Sequence, residues 1–174
     1  MRGLSVIAVG TAVLAMTAAI ATAQGAANPD QKFVMEAAGG GAAEVELGKL
    51  ATERATNPDV KSFGQRMVDD HGKAGTELKA LAATKNISLP TDLDPKEKAL
   101  RDRLMKLQGS AFDRAYMDAM VKDHEADVRA FQMESKSGRD AEVKAWAAKT
   151  LPTLEDHLRM TREVDREVGT TGKK

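Results

Sequence analysis

The chain has 174 residues, and its 26 Lys and Arg balance 26 Asp and Glu, so it carries no net charge at neutral pH. That balance removes any global electrostatic reason to bind nucleic acid or an anionic membrane. There is no cysteine, which excludes disulfides and a lipid-modified N-terminal Cys, and an aromatic content of 3% favours helices over sheet.

Met1-Arg2, the apolar run Leu4 to Ile20 and the small-residue site Ala21-Thr22-Ala23 have the form of a secretory signal peptide over residues 1–23. An uncleaved anchor is the alternative. Cleavage would leave no integral membrane segment and a periplasmic or secreted protein. Residues 24–29 read as a flexible leader.

The first long helix is expected from about Asp30 to Ala55. Asn57-Pro58 closes it and opens the second, with Asn as N-cap and Pro in the first turn. The second helix continues to about Asn86. Ile87 to Asp94 has no helical period, and a short amphipathic helix follows from Lys96 to about Leu107. Gly109-Ser110 breaks and recaps the chain before a third long helix, about Ala111 to Lys136. Ser137-Gly138-Arg139-Asp140 is a tight turn, with Asp140 as the N-cap of a last helix from Ala141 to about Val168. Pro152 lies inside that helix and predicts a kink. Residues 169–174 read as a frayed tail.

Four long helices in two tight hairpins define an all-α four-helix bundle over residues 30–168. The segment between the hairpins sets the topology. Eight extended residues reach about 26 Å and a dozen helical ones about 18 Å, enough to travel the length of a bundle. A crossover containing the short extra helix, as in ferritin-like folds, is therefore favoured over a simple up-down-up-down bundle.

One stretch returns along the chain. Met67-Val68-Asp69-Asp70-His71 recurs as Met120-Val121-Lys122-Asp123-His124, with Phe63 and Tyr116 four residues ahead of each Met. Thr153-Leu154-Glu155-Asp156-His157 is a weaker third copy, and these are the only three histidines. At about 100° per residue each histidine falls on its helix's apolar face. The first helix has no histidine, and the middle of its apolar face is Glu44. Glu44 stands thirteen residues before Asn57 and His71 fourteen after it; His124 stands sixteen before Asp140 and His157 seventeen after. All four side chains are thus expected at one level of the bundle.

Buried ionisable groups must be paired, neutral or bound to metal. Glu44, His71, His124 and His157 together are a ligand set for a transition ion such as Zn, Cu, Fe or Mn. Asp70, Asp123 and Asp156 each lie about 100° round from their histidine and are placed to accept an N–H from a neighbouring helix's imidazole. Met67, Met120 and Met160 fall on one side of the histidine layer, as possible soft ligands or as ordinary core filler. Gly40 and Gly75 pair one turn away, and close helix packing is the expected reason for them. The alternative to a metal is a Glu/His/Asp hydrogen-bond network in a non-catalytic structural or interaction module.

The runs FVMEAAGGGAAEVELGKL (33–50), FGQRMVDDH (63–71), AFDRAYMDAMVKDHEADVRAF (111–131) and AKTLPTLEDHL (148–158) resemble a large domain-of-unknown-function (DUF) family of secreted bacterial proteins. Its members are often labelled "predicted outer membrane protein" and are placed among ferritin-like folds. The resemblance implies a ferritin-like bundle and export, and no established activity. Di-iron members of ferritin-like folds use Glu-x-x-His on two helices. Here Val68, Val121 and Leu154 stand three before the histidines, so ferroxidase chemistry is not expected and a mononuclear site is. With no separate acid/base pair in view, a small metalloenzyme ranks below a sequestering or stress-related protein.

Overall fold

A computed structural model describes residues 28–171. The expected signal peptide, almost all of the leader and the end of the tail lie outside them. Five helices follow in order: α1 (Pro29–Arg54), α2 (Pro58–Thr84), α3 (Pro95–Leu104), α4 (Gly109–Ser137) and α5 (Ala141–Thr171). No strand occurs among the described residues.

Local chemistry sets the starts. Asn28, Asn57 and Asp94 each accept backbone N–H groups of the helix that follows, with Pro in the first turn each time. Asp94 and Glu97 complete a reciprocal capping box on α3. The first helix is thus capped at Asn28, inside what reads from sequence as a leader. Gly109 is not a break before α4 but its first residue, and its φ of +58° is a conformation glycine adopts without penalty. One expectation for the last helix changes: it includes Gly169 rather than fraying there, and Pro152 lies inside its span.

α1 pairs with α2 and α4 with α5; α1 also lies beside α4, and α2 beside α5. Two apolar clusters fill the interior. One gathers the end of α1 (Leu47, Ala51), the start of α2 (Val60, Phe63), the start of α4 (Phe112, Tyr116) and the end of α5 (Val168). The other gathers the opposite ends, with Phe33, Leu78, Phe131 and Trp146. α2 and α4 therefore start at the same end and run parallel. This is the crossover topology. Residues 85–108 return the chain, with Ile87 and Leu89 against the second cluster and Leu104 buried in the first.

Two buried aspartates tie the hairpins together. Asp113 on α4 accepts from the Thr56 and Asn57 backbone N–H groups, each at 3.0 Å, and from the Thr56 hydroxyl at 2.7 Å. Asp30 on α1 reciprocates at the α4–α5 turn, accepting from Arg139 N at 3.0 Å and Asp140 N at 2.6 Å. Each hairpin's turn is held by a carboxylate of the other. Asp113 is thus a turn clamp.

Close helix approach occurs at Gly48 and Gly64, not at Gly40 and Gly75. A Cβ on Gly48 would lie 2.6 Å from the Gly64 carbonyl oxygen, and one on Gly64 2.8 Å from Ala51 Cβ. A Cβ on Gly40 or Gly75 would meet nothing within 4 Å. The two classes give opposite expected results. Gly48→Ala is expected to cost about 2 kcal/mol through overpacking, whereas Gly40→Ala should gain about 0.5–1 kcal/mol from mid-helix propensity. Urea unfolding of the pair measures both signs, and two gains would refute the close contact.

Candidate metal centre

Between the two apolar clusters lies the polar layer. Glu44, His124 and His157 are fully buried and His71 is 8% exposed. The three imidazole rings form a triangle with centroids 5.9 Å (His71–His124), 5.3 Å (His71–His157) and 5.4 Å (His124–His157) apart. One nitrogen from each ring lies within 4.8 Å of one from each of the others. A single ion can reach all three.

His124 and His157 each use one nitrogen on the protein and leave the other, and His71 turns one nitrogen toward Glu44. His124 Nδ1 lies 3.0 Å from the Met120 carbonyl oxygen, which can only accept, so this nitrogen carries the proton. His157 Nε2 lies 2.8 Å from Asp70 Oδ2 and donates in the same way. His71 Nδ1 is 2.9 Å from Glu44 Oε2. The remaining nitrogens, His71 Nε2, His124 Nε2 and His157 Nδ1, are all buried and without a hydrogen-bond partner. A structural network would consume these lone pairs. Three buried imidazoles, each with an unused nitrogen and close enough together for one ion to reach them all, are instead what an imidazole-bound ion requires.

Burial also fixes protonation. It pushes the His71 and His157 imidazoles down to about 4 and lowers His124 as well, so all three are neutral at pH 7 and have lone pairs to give. Glu44 moves the other way, up to about 8, mainly through burial, with His124 opposing and Asp123 and Glu97 adding to the rise.

Glu44 borders the histidine set. Its Oε1 is 3.3 Å from His124 Nε2 and its Oε2 2.9 Å from His71 Nδ1, but neither approach is aligned as a hydrogen bond and both oxygens lack a partner. Its carboxylate also groups with Asp123 and Asp127, whose oxygens lie within 4.8 Å of it and of each other. Glu44 thus adjoins the triangle and faces His71 from its outer nitrogen.

The three aspartates that precede the histidines divide. Asp70 accepts from His157, the neighbouring-helix contact expected of it. Burial pushes its pKa up, but hydrogen bonds from Arg66 and His157 outweigh that and hold the carboxyl below its usual range. Asp123 makes no hydrogen bond to a histidine and turns toward Glu44. Asp156 is exposed and pairs with Arg159 at 2.6 Å and Arg66 at 3.8 Å. The offset of about 100° had suggested one role for all three, but only on α2 does that direction face a histidine donor. Asp70→Asn is accordingly expected to weaken ion binding by about 10–100-fold while leaving the fold intact. Parallel titration of the ordinary and substituted proteins measures it, and equal affinities would show that Asp70 does not orient His157.

Met67 and Met120 are fully buried in the first apolar cluster and Met160 packs against it, so the three do lie on one side of the histidines. A small cavity of about 30 Å³ approaches from the other side, lined among others by Gly40, Gly41 and Gly75 and reaching Glu44, His71 and Asp127. The open Cβ positions of Gly40 and Gly75 explain those glycines better than helix packing does. The cavity is large enough for a water molecule.

The fold and this layer define a crossover four-helix bundle of the ferritin-like kind with three imidazoles meeting in its core. The chain belongs to the family described as "Domain of unknown function (DUF4142)", whose model matches residues 15–164. None of the curated proteins matches it. Among solved structures, a DUF305 fragment from Deinococcus radiodurans is similar, with a TM-score of 0.71 and 16% identity, covering 80% of this chain and 96% of that one. A DUF305 protein from Streptomyces coelicolor gives a TM-score of 0.68 at 16% identity, covering 82% and 93%. CopM in its Cu(II)-bound form gives 0.67 at 14% identity, covering 79% and 96%. At these identities the likeness establishes the fold.

Proposed function

We propose that this protein is an exported bacterial metal-binding bundle that sequesters a copper ion, held by His71 Nε2, His124 Nε2 and His157 Nδ1. The observation that carries this is the set of three buried, neutral imidazoles, each with an unpartnered nitrogen and each placing a ring nitrogen within 4.8 Å of the other two. Asp70 accepts from the outer nitrogen of His157 and sets the direction of its lone pair. Imidazole donors suit copper and zinc best. Copper is favoured by the three methionines beside the layer and by the similar bundle CopM, which is described with Cu(I), Cu(II) and silver bound. Met67, Met120 and Met160 then serve as a soft, polarizable wall on one side of the ion. The enclosed site suits holding an ion rather than turning over a substrate.

Export rests on residues 1–23, and among the described residues no helix is long and apolar enough to cross a membrane. The decisive experiment is elemental analysis of the protein isolated from the periplasm, beside a copper titration followed by melting temperature. One copper per chain and a rise in melting temperature are expected. A protein recovered without metal, with a melting temperature unmoved by copper or zinc, would refute the reading.

A further inference from the structure

Next to the imidazole triangle, three carboxylates face one another. Glu44 on α1, Asp123 and Asp127 on α4 each place an oxygen within 4.8 Å of the other two. Asp123 and Asp127 are one helical turn apart on the same helix, so their closeness is built into α4. Neither makes an ion pair at contact distance with Lys or Arg among the described residues. Lys96, in the first turn of the crossover helix, and His71 favour the ionised form of Asp123, and Asp94 opposes it. The charged groups acting on Asp127 are the acids Glu44, Asp123 and Glu97. Glu44 is fully buried, places an oxygen within 4.8 Å of both aspartates, and finds no hydrogen-bond partner for either of its oxygens. Three converging acids, one of them a fully buried and orphaned carboxylate, cost free energy unless something neutralises them.

We infer that Glu44, Asp123 and Asp127 form a second cation site, selective for a hard divalent ion such as Mn²⁺ or Ca²⁺ and separate from the imidazole site. The donor set is entirely oxygen, which favours hard ions over copper or zinc. The spacing fits: ligand oxygens about 2.2–2.5 Å from an ion stand up to about 5 Å apart across it. The site is also reachable, because Glu44 and Asp127 both line the small cavity beside Gly40 and Gly75, leaving room for a water ligand of the kind such ions keep. Glu44 touches both centres, with one face toward His71 and the other toward the aspartates. The second site stands on its own donors and does not require the first to be filled.

Mn²⁺ is the probe, because the electron paramagnetic resonance signal of the free ion disappears when it binds. The metal-stripped mature protein is titrated with Mn²⁺, then with copper, beside an Asp123→Asn/Asp127→Asn variant and a His71→Ala/His124→Ala variant. The unaltered protein should take one Mn²⁺ per chain. The Asn variant should bind Mn²⁺ at least about 100-fold more weakly while still taking copper. The His variant should keep its Mn²⁺ and lose copper. With both ions loaded, Cu(II) should broaden the bound Mn²⁺ signal recorded in frozen solution, a readout in the unaltered chain that needs no variant to fold. No Mn²⁺ uptake alongside normal copper uptake would overturn the second site and leave the first standing. Mn²⁺ uptake without copper would do the reverse. Mn²⁺ lost in the His variant but kept in the Asn variant would also overturn it, by placing that ion among the imidazoles.

Discussion

His124→Leu is expected to abolish stabilisation by copper while leaving the ion-free protein as stable as before, or more so. His124 is fully buried with Nε2 unpaired, so the ion-free fold already bears the cost of a desolvated lone pair. Leucine fills a similar volume and removes that cost. The contact it forfeits, Nδ1 to the Met120 carbonyl, is made to a group already in the helical ladder. Replacing a poorly satisfied buried polar group by an apolar one of similar size is often neutral or stabilising. The ion-bound state behaves differently. An ion at 100 times its dissociation constant adds about 2.7 kcal/mol to the unaltered protein, and with one of three imidazoles gone that gain should vanish. Melting curves of both proteins, with and without copper, measure the four numbers. A register-setting hydrogen-bond network predicts the opposite pattern, with His124→Leu lowering ion-free stability by more than about 1 kcal/mol. That outcome would turn the metal reading into a structural one.

The histidine layer was legible because period and hairpin symmetry are both sequence properties. Given turns at Asn57-Pro58 and Asp140, counting outward places His71, His124, His157 and Glu44 at one level, and the structure brings them together there. What counting cannot supply is rotation between helices. Asp70, Asp123 and Asp156 share one angular offset from their histidines, yet Asp70 meets His157, Asp123 meets Glu44 and Asp156 meets solvent and arginine. The α2–α5 and α1–α4 interfaces present different partners to the same direction. Glycines show the same limit. Counting from Asn57 pairs Gly40 with Gly75, but the helix backbones touch at Gly48 and Gly64, which that count does not pair. The turn clamps Asp30 and Asp113 were invisible for another reason. Each bonds across more than fifty residues of chain to backbone groups that no side-chain pattern marks.

Without its ion, the protein should be most stable on a plateau between about pH 4.5 and 6.5 and lose stability on either side. The histidines set the acid limb. His71 and His157 are held down to about 4 by burial, and His124 is lowered too. Between about 4 and 6.5 the unfolded chain therefore binds protons that the folded one does not, and stability rises with pH. The carboxyls act in the other sense. Glu44 is raised to about 8, so between about 4.5 and 8 the folded state holds a proton that the unfolded state has lost, and stability falls as pH rises. Asp123 and Asp127, also raised by burial, share that sign. Where the windows overlap the two sets oppose and largely cancel, which makes the plateau. Above about 6.5 only the carboxyls remain, and Glu44 alone contributes a loss of roughly 1.4 kcal/mol per pH unit up to its folded value. Urea midpoints taken from pH 4 to 8.5 on chelator-treated protein trace the curve. Glu44→Gln should flatten the alkaline limb, because glutamine retains the volume without the proton. An alkaline limb unchanged in that variant would mean that Glu44 is ionised in the folded state and that its negative charge is offset by something other than a proton.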